Sequence, residues 1–250
     1  MNSHARLLLP RRGHSVVRKL VSVTAVLLGI ILMTGTVSAQ FEVVGGVTYN
    51  TYSIKWAGLP ANLSGVEFNS GLGAYAGAQY WISDSLAIGA QFDYLTGSGK
   101  ETFREMDRDG DLINDTETYE IKATGTGYLA TVTMNLLSNE RITVRPFAAA
   151  GMYGVSTDIK ASINYSDPLK VDESVTIKLK PDKRFGGKAG VSFGFEVAPG
   201  LTLGAVAAYR YVGEFTSGTM EGPGVSAEFE DMEGLSFSGF MVGASISYIF

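Results

Sequence analysis

The final segment of the chain alternates between large apolar residues and small or hydroxylated ones. Counting back from the last residue, every second position is apolar: Phe250, Tyr248, Ile246, Ala244, Val242 and Phe240. Most of the positions between them are serine or glycine. A period of two predicts a β-strand with one large apolar face and one face of small, polar side chains.

Further segments show the same period, so the sequence predicts about eight strands. They are 41–52, 71–81, 86–94, 119–137, 142–155, 185–197, 201–212 and 236–250. Short connections rich in turn-forming residues, at 82–85, 138–141 and 198–200, alternate with long ones at 53–70, 95–118, 156–184 and 213–235. This order predicts an all-β, eight-stranded, antiparallel up-and-down barrel.

One long connection has a strand pattern of its own. Residues 158–165 and 174–180 both alternate, which predicts that the fifth and sixth strands continue past the barrel as a protruding hairpin. The edge of such a hairpin could pair with a strand of a partner, or the hairpin could be an inert shield. A ten-stranded barrel that includes the hairpin is the alternative architecture.

The charged residues of the predicted strands fall on the glycine-rich face. In segment 201–212, Arg210 shares its face with Thr202 and Gly204, and the opposite face carries no charge. Small residues suit a narrow interior, whereas a soluble lipocalin-like barrel would turn its large aromatic residues inward. The pattern therefore favours a transmembrane barrel with a polar lumen.

Six charged residues are expected in that lumen, three of each sign: Glu42, Asp93, Arg145, Lys188, Glu196 and Arg210. The interior of an eight-stranded barrel is only just wide enough to be filled by side chains. Because an unpaired buried charge is costly, we expect these residues to pair with one another and plug the lumen. The alternative is a gate, in which pairs exchange partners and open a narrow path for ions or small solutes.

The terminal strand resembles the carboxy-terminal signal of bacterial outer-membrane β-barrels, in which Tyr248 and Phe250 would be read by the assembly machinery. The hairpin at 71–94 and the stretch RPFAAAGMYG from Arg145 are similar to small barrels of the OmpA, OmpX and Opa type. The resemblance implies a location in the cell outer membrane, with lipid, the barrel-assembly machinery and periplasmic chaperones as partners. Aromatic residues at the strand ends are expected to form two interfacial girdles: Tyr49, Tyr52, Tyr80, Trp81, Tyr94, Tyr211, Tyr248 and Phe250.

Residues 1–39 have the three parts of a secretory signal peptide. Five basic residues precede an uncharged run that starts at Leu20 and ends with the small residues Val37-Ser38-Ala39. We expect export, cleavage after Ala39 and a mature barrel domain over 40–250. The alternative is an uncleaved inner-membrane anchor, since the uncharged run is nearly long enough to span a bilayer.

The composition of the chain without residues 1–39 excludes several classes of function. The full chain has 20 basic and 25 acidic residues, and loss of the five basic residues of the leader leaves a net charge of −10, which argues against nucleic-acid binding. Both histidines, His4 and His14, lie in the leader, so a Ser-His-Asp site cannot form and we expect no enzymatic activity. The remaining functions are a structural or surface-interaction barrel with an unidentified surface ligand and, alternatively, a narrow pore.

The predicted loop at 107–117 resembles an EF-hand calcium loop in its alternating acidic residues. The candidate ligands are Asp107, Asp109, Asp111 and Glu117. The glycine that normally follows the third acidic position is missing, and no flanking helices are evident. We therefore expect no cofactor and at most weak calcium binding, with a solvated acidic surface loop as the simpler interpretation.

Overall fold

The computed structural model describes residues 40–52, 70–106, 112–138, 141–165, 173–230 and 236–250. The expected signal peptide, residues 1–39, lies outside these ranges and stays a prediction. Within the ranges, no helix is long and apolar enough to cross a membrane.

The described residues form β-strands joined by turns and irregular segments. In chain order the strands are β1 (Gln40–Thr51), β2 (Ser70–Ser83), β3 (Leu86–Met106), β4 (Leu112–Met134), β5 (Leu137–Ser138), β6 (Ile142–Asn164), β7 (Glu173–Pro181), β8 (Arg184–Ala198), β9 (Leu201–Val212), β10 (Gly218–Gly222), β11 (Val225–Phe229) and β12 (Gly239–Ile249).

Eight strands close into an antiparallel barrel, in the order β1, β2, β3, β4, β6, β8, β9 and β12. The first and last of these pair directly, from Glu42 opposite Ile249 to Asn50 opposite Met241. The predicted eight-stranded barrel is confirmed. The ten-stranded alternative is wrong, because β7 pairs with the part of β6 that lies beyond β8, and β10 pairs with β7 outside the closed ring.

The barrel has a turn end and a loop end. At the turn end, tight turns at 84–85 and 199–200 join β2 to β3 and β8 to β9. Gly200 has a φ of 74°, a left-handed conformation that glycine adopts without strain. The beginning of β1 and the end of β12 meet at this end, where the Phe250 backbone N–H donates to the Phe41 carbonyl at 2.9 Å.

At the loop end, a sheet continues past the barrel rim. β3 and β4 stay paired up to Met106 opposite Leu112. β7 takes the place of β8 as the neighbour of β6, and β10 and β11 continue the sheet sideways. We call this region the extension sheet: residues 96–106 of β3, 112–124 of β4 and 156–164 of β6, together with β7, β10 and β11.

The extension sheet confirms one prediction and corrects another. The protruding hairpin forms as expected, with Asp158 opposite Lys178. The interpretation of 95–118 as a loop is wrong, since β3 and β4 occupy most of that segment, and 213–235 likewise contains β10 and β11. Thr96, Ser98 and Lys100 occupy the outward positions of β3, so the apolar period is lost there although strand pairing continues.

Alternation sorts the barrel side chains into two faces. Large apolar residues on the outward face are well exposed to the surroundings: Val47, Leu72, Tyr128, Phe185, Tyr211 and Phe240. The girdle prediction is wrong for Tyr52 and Trp81, which point inward and are buried. Because Tyr80 faces outward, its neighbour Trp81 must face the lumen.

Two tyrosine rings lie against the inner wall because glycine faces them. A Cβ at Gly46 would come within 2.7 Å of the Tyr75 ring. A Cβ at Gly127 or Gly186 would come within 2.5 or 2.9 Å of the Tyr153 ring. These glycines make room for the two rings inside a narrow barrel.

A core of apolar side chains lies at the loop end and beneath the extension sheet. Its buried members are Tyr52, Leu95, Tyr119, Ile121, Ala123, Leu129, Ala149, Tyr153, Val155, Ile159, Leu179, Val212, Phe215 and Phe237. The extension sheet therefore has an inner face that is packed and an outer face that is open.

Candidate functional site

Five of the six charged residues expected in the lumen are buried there. The exposed fraction is 0% for Glu42 on β1, 2% for Asp93 on β3, 8% for Arg145 on β6, 4% for Lys188 on β8 and 0% for Arg210 on β9. Each lies on the inward face of its strand, as the glycine-rich pattern requires. The strands bring them together in two ion pairs and one separate cation.

The ion pair nearer the turn end is formed by Arg145 and Glu42. Nη1 of Arg145 lies 2.7 Å from Oε1 of Glu42. The other carboxylate oxygen accepts hydrogen bonds from Gln79 Nε2 at 2.7 Å and Trp81 Nε1 at 2.8 Å. The Arg145 guanidinium also lies 5.1 Å from the centre of a Trp81 ring. Three donors, one of them charged, thus satisfy both oxygens of this buried carboxylate.

The second ion pair is formed by Lys188 and Asp93. Nζ of Lys188 lies 2.7 and 2.9 Å from the two oxygens of Asp93. The same carboxylate accepts a hydrogen bond from Gln91 Nε2 at 2.7 Å and from the Tyr153 hydroxyl at 3.1 Å. The Lys188 ammonium lies 5.2 Å from the centre of the Tyr75 ring. Glycines that admit the two tyrosine rings therefore also position a donor and an aromatic face for this pair.

Both ion pairs cross the lumen. β6 and β1 are not neighbours in the barrel, and neither are β8 and β3. Each pair thus connects opposite parts of the barrel wall and fills the part of the lumen that lies between them.

Arg210 differs from the expectation, because no carboxylate of the described residues pairs with it. Its Nε donates to the Phe237 carbonyl at 3.1 Å and its Nη1 to Asn50 Oδ1 at 3.3 Å. The guanidinium lies 5.7 Å from the centre of the Tyr52 ring. Neutral acceptors and an aromatic face hold this cation, and its buried Nη2 has no hydrogen-bond partner in the described part of the chain.

Three aromatic rings pack together at the loop end of the lumen. The Phe237 ring lies 5.5 Å from the Tyr52 ring and 6.3 Å from the Phe215 ring, both in edge-on geometry. Ser236 and Ser238 donate hydrogen bonds to the Val212 carbonyl and hold the segment before β12 against β9. We call Tyr52, Phe215 and Phe237 the aromatic lid. Sequence analysis missed both phenylalanines: Phe215 lies in a segment expected to be a loop, and Phe237, inside the predicted strand 236–250, lies in an irregular segment before β12.

Glu42, Arg145 and Lys188 line a cavity of about 70 Å³. Its other lining residues include Gln79, Thr131, Thr133, Thr143, Thr202 and Ser245. Polar and apolar side chains both line it, and a cavity of this size has room for only a few water molecules.

The expected position of Glu196 in the lumen is wrong. It is exposed at the turn end, where its carboxylate accepts a hydrogen bond from the Gly200 backbone N–H at 2.9 Å. The register between β8 and β9 shifts between Glu196 and Ala198, so the strict alternation that pointed Glu196 inward ends there.

Three of the four calcium candidates, Asp107, Asp109 and Asp111, lie outside the described residues. Glu117 is described and lies on β4, where its carboxylate accepts a hydrogen bond from the Tyr119 hydroxyl. Burial and this carboxylate raise the pKa of Tyr119 to about 12. In the described part of the chain, no cluster of acidic side chains could hold a metal ion.

Tyr248 and Phe250, the residues of the expected assembly signal, are exposed on the outward face at the turn end. Their rings lie 4.8 Å apart in edge-on geometry, and the Phe250 ring lies 6.2 Å from the ring of Phe41 on β1. The last residues therefore contact both β12 and the strand that closes the barrel.

The chain is similar to several solved outer-membrane proteins. Ail, the attachment invasion locus protein of Yersinia pestis, is 12% identical, with 85% of this chain and 100% of that chain covered and a TM-score of 0.37. Neisserial surface protein A is also 12% identical, covering 87% of this chain and 100% of that chain with a TM-score of 0.39. The outer membrane protease OmpT of Escherichia coli is 11% identical, covering 86% and 99% with a TM-score of 0.43.

No curated protein sequence matches the chain. The family model described as the outer membrane protein beta-barrel domain matches residues 22–250, which is most of the sequence. The matched region contains every strand of the closed barrel and all five buried lumen charges. The chain belongs to the outer membrane protein beta-barrel family and is a protein of the bacterial outer membrane.

Proposed function

We propose that this protein is a sealed outer-membrane barrel with a structural or surface-interaction role and no enzymatic activity. The barrel holds the extension sheet above the membrane and does not conduct solutes. The observation that carries the proposal is the path along the lumen: the Arg145–Glu42 pair, the Lys188–Asp93 pair and the aromatic lid follow one another from the turn end to the loop end.

The chemistry of these contacts supports a plug. Buried ion pairs whose remaining oxygens are hydrogen-bonded are costly to break, because either partner alone would leave an uncompensated buried charge. The lid adds apolar contacts that exclude water from the loop end. A surface role follows from the extension sheet, which in a barrel of this class lies on the side of the long outer loops.

A narrow pore is the second candidate, and the cavity lined by Glu42, Arg145 and Lys188 favours it. A pore would need both pairs to exchange partners and the lid to move at the same time. Arg210 lies near the lid and pairs with no described carboxylate, so its positive charge would then make the open path selective for anions.

Conductance of the refolded protein in planar lipid bilayers tests the proposal. We expect a flat baseline with rare, brief openings at most. Steady current with an ion selectivity that shifts in Arg210→Gln would contradict the plug and assign a pore. Arg141→Gln is a matched control, since Arg141 is exposed at the turn end and its loss should leave the baseline unchanged.

A further inference from the structure

Two cations of the lumen lie side by side toward its loop end. Lys188 on β8 and Arg210 on β9 are directly opposite each other in the register of the two strands, and both side chains are buried in the lumen. Directly opposite positions hold the Cβ atoms about 5 Å apart, so like charges there destabilise the strand pair. Because little water screens this repulsion, both cations need negative charge nearby.

Asp93 supplies negative charge for only one of the two cations. Its oxygens accept hydrogen bonds from Lys188 Nζ at 2.7 and 2.9 Å, and further ones from Gln91 Nε2 and the Tyr153 hydroxyl. A carboxylate has about four acceptor sites, and these contacts occupy them all. Asp93 therefore has no acceptor site left for Arg210.

The second buried carboxylate in the described part of the chain lies too far from Arg210 to neutralise it. Glu42 precedes Asn50 by eight positions on β1, and Asn50 Oδ1 lies 3.3 Å from Arg210 Nη1. Eight residues of a strand span about 26 Å along its axis, so Glu42 lies toward the turn end, where it pairs with Arg145. The two cations and the one carboxylate toward the loop end thus leave one positive charge in excess.

The Arg210 guanidinium also has N–H groups that lack an acceptor. Nε donates to the Phe237 carbonyl and Nη1 to Asn50, whereas Nη2 is buried without a hydrogen-bond partner in the described part of the chain. The exposed fraction of Arg210 is 0%, so bulk water does not reach Nη2. A buried charge and a buried donor without partners are both costly, and one anion at Nη2 would satisfy both.

We propose that a chloride ion binds Nη2 of Arg210 beside the aromatic lid. A single negative charge balances the excess positive charge toward the loop end. Sulfate or phosphate would bring several oxygen acceptors, for which this guanidinium has too few free N–H groups, whereas a halide needs no fixed arrangement of donors. The lid separates the ion from the outside, since the Tyr52 ring packs edge-on against Phe237 and its hydroxyl donates to the Thr96 carbonyl at 3.0 Å. The site goes beyond the proposed plug and exists whether or not the lumen conducts.

Urea unfolding of the refolded protein in lipid vesicles tests the proposal. Sodium chloride is raised while sodium gluconate keeps the ionic strength constant. An ion that binds only the folded barrel raises the folding equilibrium constant about tenfold for each tenfold rise in chloride above its Kd. We expect the urea midpoint to follow the logarithm of the chloride concentration, and bromide to act in the same way. Equal midpoints in chloride and gluconate would overturn the proposal.

Two variants at the site separate bound chloride from a general effect of salt. Arg210→Met removes the cation, and Asn50→Asp places a carboxylate where an amide now contacts Nη1. Both should lose the dependence on chloride, and in gluconate Asn50→Asp should be at least as stable as the wild type. Arg141→Gln, at an exposed position of the turn end, should keep the full dependence. The proposal is wrong if Arg210→Met and Asn50→Asp respond to chloride as the wild type does.

Crystals grown in sodium bromide would locate the ion. Anomalous scattering at the bromine edge should show a peak within hydrogen-bonding distance of Arg210 Nη2, and Asn50→Asp crystals should lack it. Peaks on the exposed surface alone would mean an adventitious ion only and would contradict the proposal. A carboxylate of the chain or a water molecule at Nη2 would contradict it equally, since Arg210 would then have a different partner.

Discussion

Single carboxylates such as Glu42 hold together the hydrogen bonds and ion pairs of the lumen. It receives hydrogen bonds from Gln79 and Trp81 and pairs with Arg145, so its two oxygens connect two other strands, β2 and β6, to β1. Asp93 has the same role for Lys188, Gln91 and Tyr153. Removing either carboxylate leaves a buried cation and several donors without an acceptor.

Glu42→Gln should therefore destabilise the barrel strongly. For a buried pair we expect a loss on the order of 3–5 kcal/mol in the free energy of unfolding, toward the lower end because a polar cavity adjoins the pair. Urea unfolding in lipid vesicles measures the loss. Glu196→Gln is the control: this exposed carboxylate should contribute less than about 1 kcal/mol. Similar losses in the two variants would contradict the assignment of Glu42 to the lumen and Glu196 to the turn.

Arg210 and Lys188 should respond differently to an apolar replacement. Lys188→Met removes the cation that balances Asp93 and should cost several kcal/mol. Arg210→Met leaves no unpaired charge, since the partners of Arg210 are neutral, and should be much milder. The urea midpoints of the two variants, measured at the same pH, show which substitution destabilises the barrel more. A larger loss for Arg210→Met would mean that Arg210 has an acidic partner in the folded protein.

Sequence could place charges inside the barrel but could not pair them. A charge on the small-residue face of a strand points to the lumen, which locates Glu42, Asp93, Arg145, Lys188 and Arg210. Pairing across a barrel depends on how far strands are staggered, and no local pattern records the stagger. For the same reason the neutral surroundings of Arg210 emerge only from the structure.

At the scale of elements, the strands of the barrel could be predicted because each has one face toward lipid. The extension sheet lies outside the membrane, and there the period of two weakens: β3 carries the polar residues Thr96, Ser98 and Lys100 at its outward positions, and β10 and β11 are only five residues each. The aromatic lid was not predictable either, since Phe215 lies in a long connection and the predicted strand at 236–250 begins only at Gly239, after Phe237.

Glycine positions inside the barrel determine where the tyrosine rings can lie. Gly127→Ala would force the Tyr153 ring away from the wall and disturb its hydrogen bond to Asp93. We expect a destabilisation of about 1–3 kcal/mol, the range typical of overpacking. Gly154→Ala is a matched control on β6, because its nearest neighbour would be the flexible Lys183 stem at 3.6 Å. Equal stability of the two variants would show that the ring of Tyr153 can relocate freely.

The terminal strand carries the prediction about assembly. Phe250 closes β12 against β1 through its backbone N–H and its ring contact with Phe41. Phe250→Ala should slow insertion into the outer membrane without preventing export, and the heat-modifiable mobility shift on gels follows this insertion with time. Phe240→Ala, at the other end of β12, serves as control. Normal assembly kinetics for Phe250→Ala would show that the terminal aromatic residue is not the signal.

At the scale of the whole molecule, the protein combines a narrow membrane barrel with the extension sheet, which lies on one side of the loop end. The barrel interior is polar and crossed by two ion pairs, whereas the apolar core lies at the loop end and under the extension sheet. This division follows from the surroundings, because lipid already solvates the outer face and leaves the lumen to polar side chains. The central claim is that the lumen is sealed from both sides.

Accessibility of a cysteine placed in the lumen tests this claim most directly, and the chain provides the background, since it has no cysteine of its own. Thr131→Cys lies in the cavity between the ion pairs, and Thr102→Cys lies on the exposed face of the extension sheet. A small charged thiol reagent is applied to intact cells and to spheroplasts. The account predicts rapid labelling of Thr102→Cys and labelling of Thr131→Cys only after unfolding in urea. Rapid labelling of folded Thr131→Cys from either side would contradict the sealed lumen.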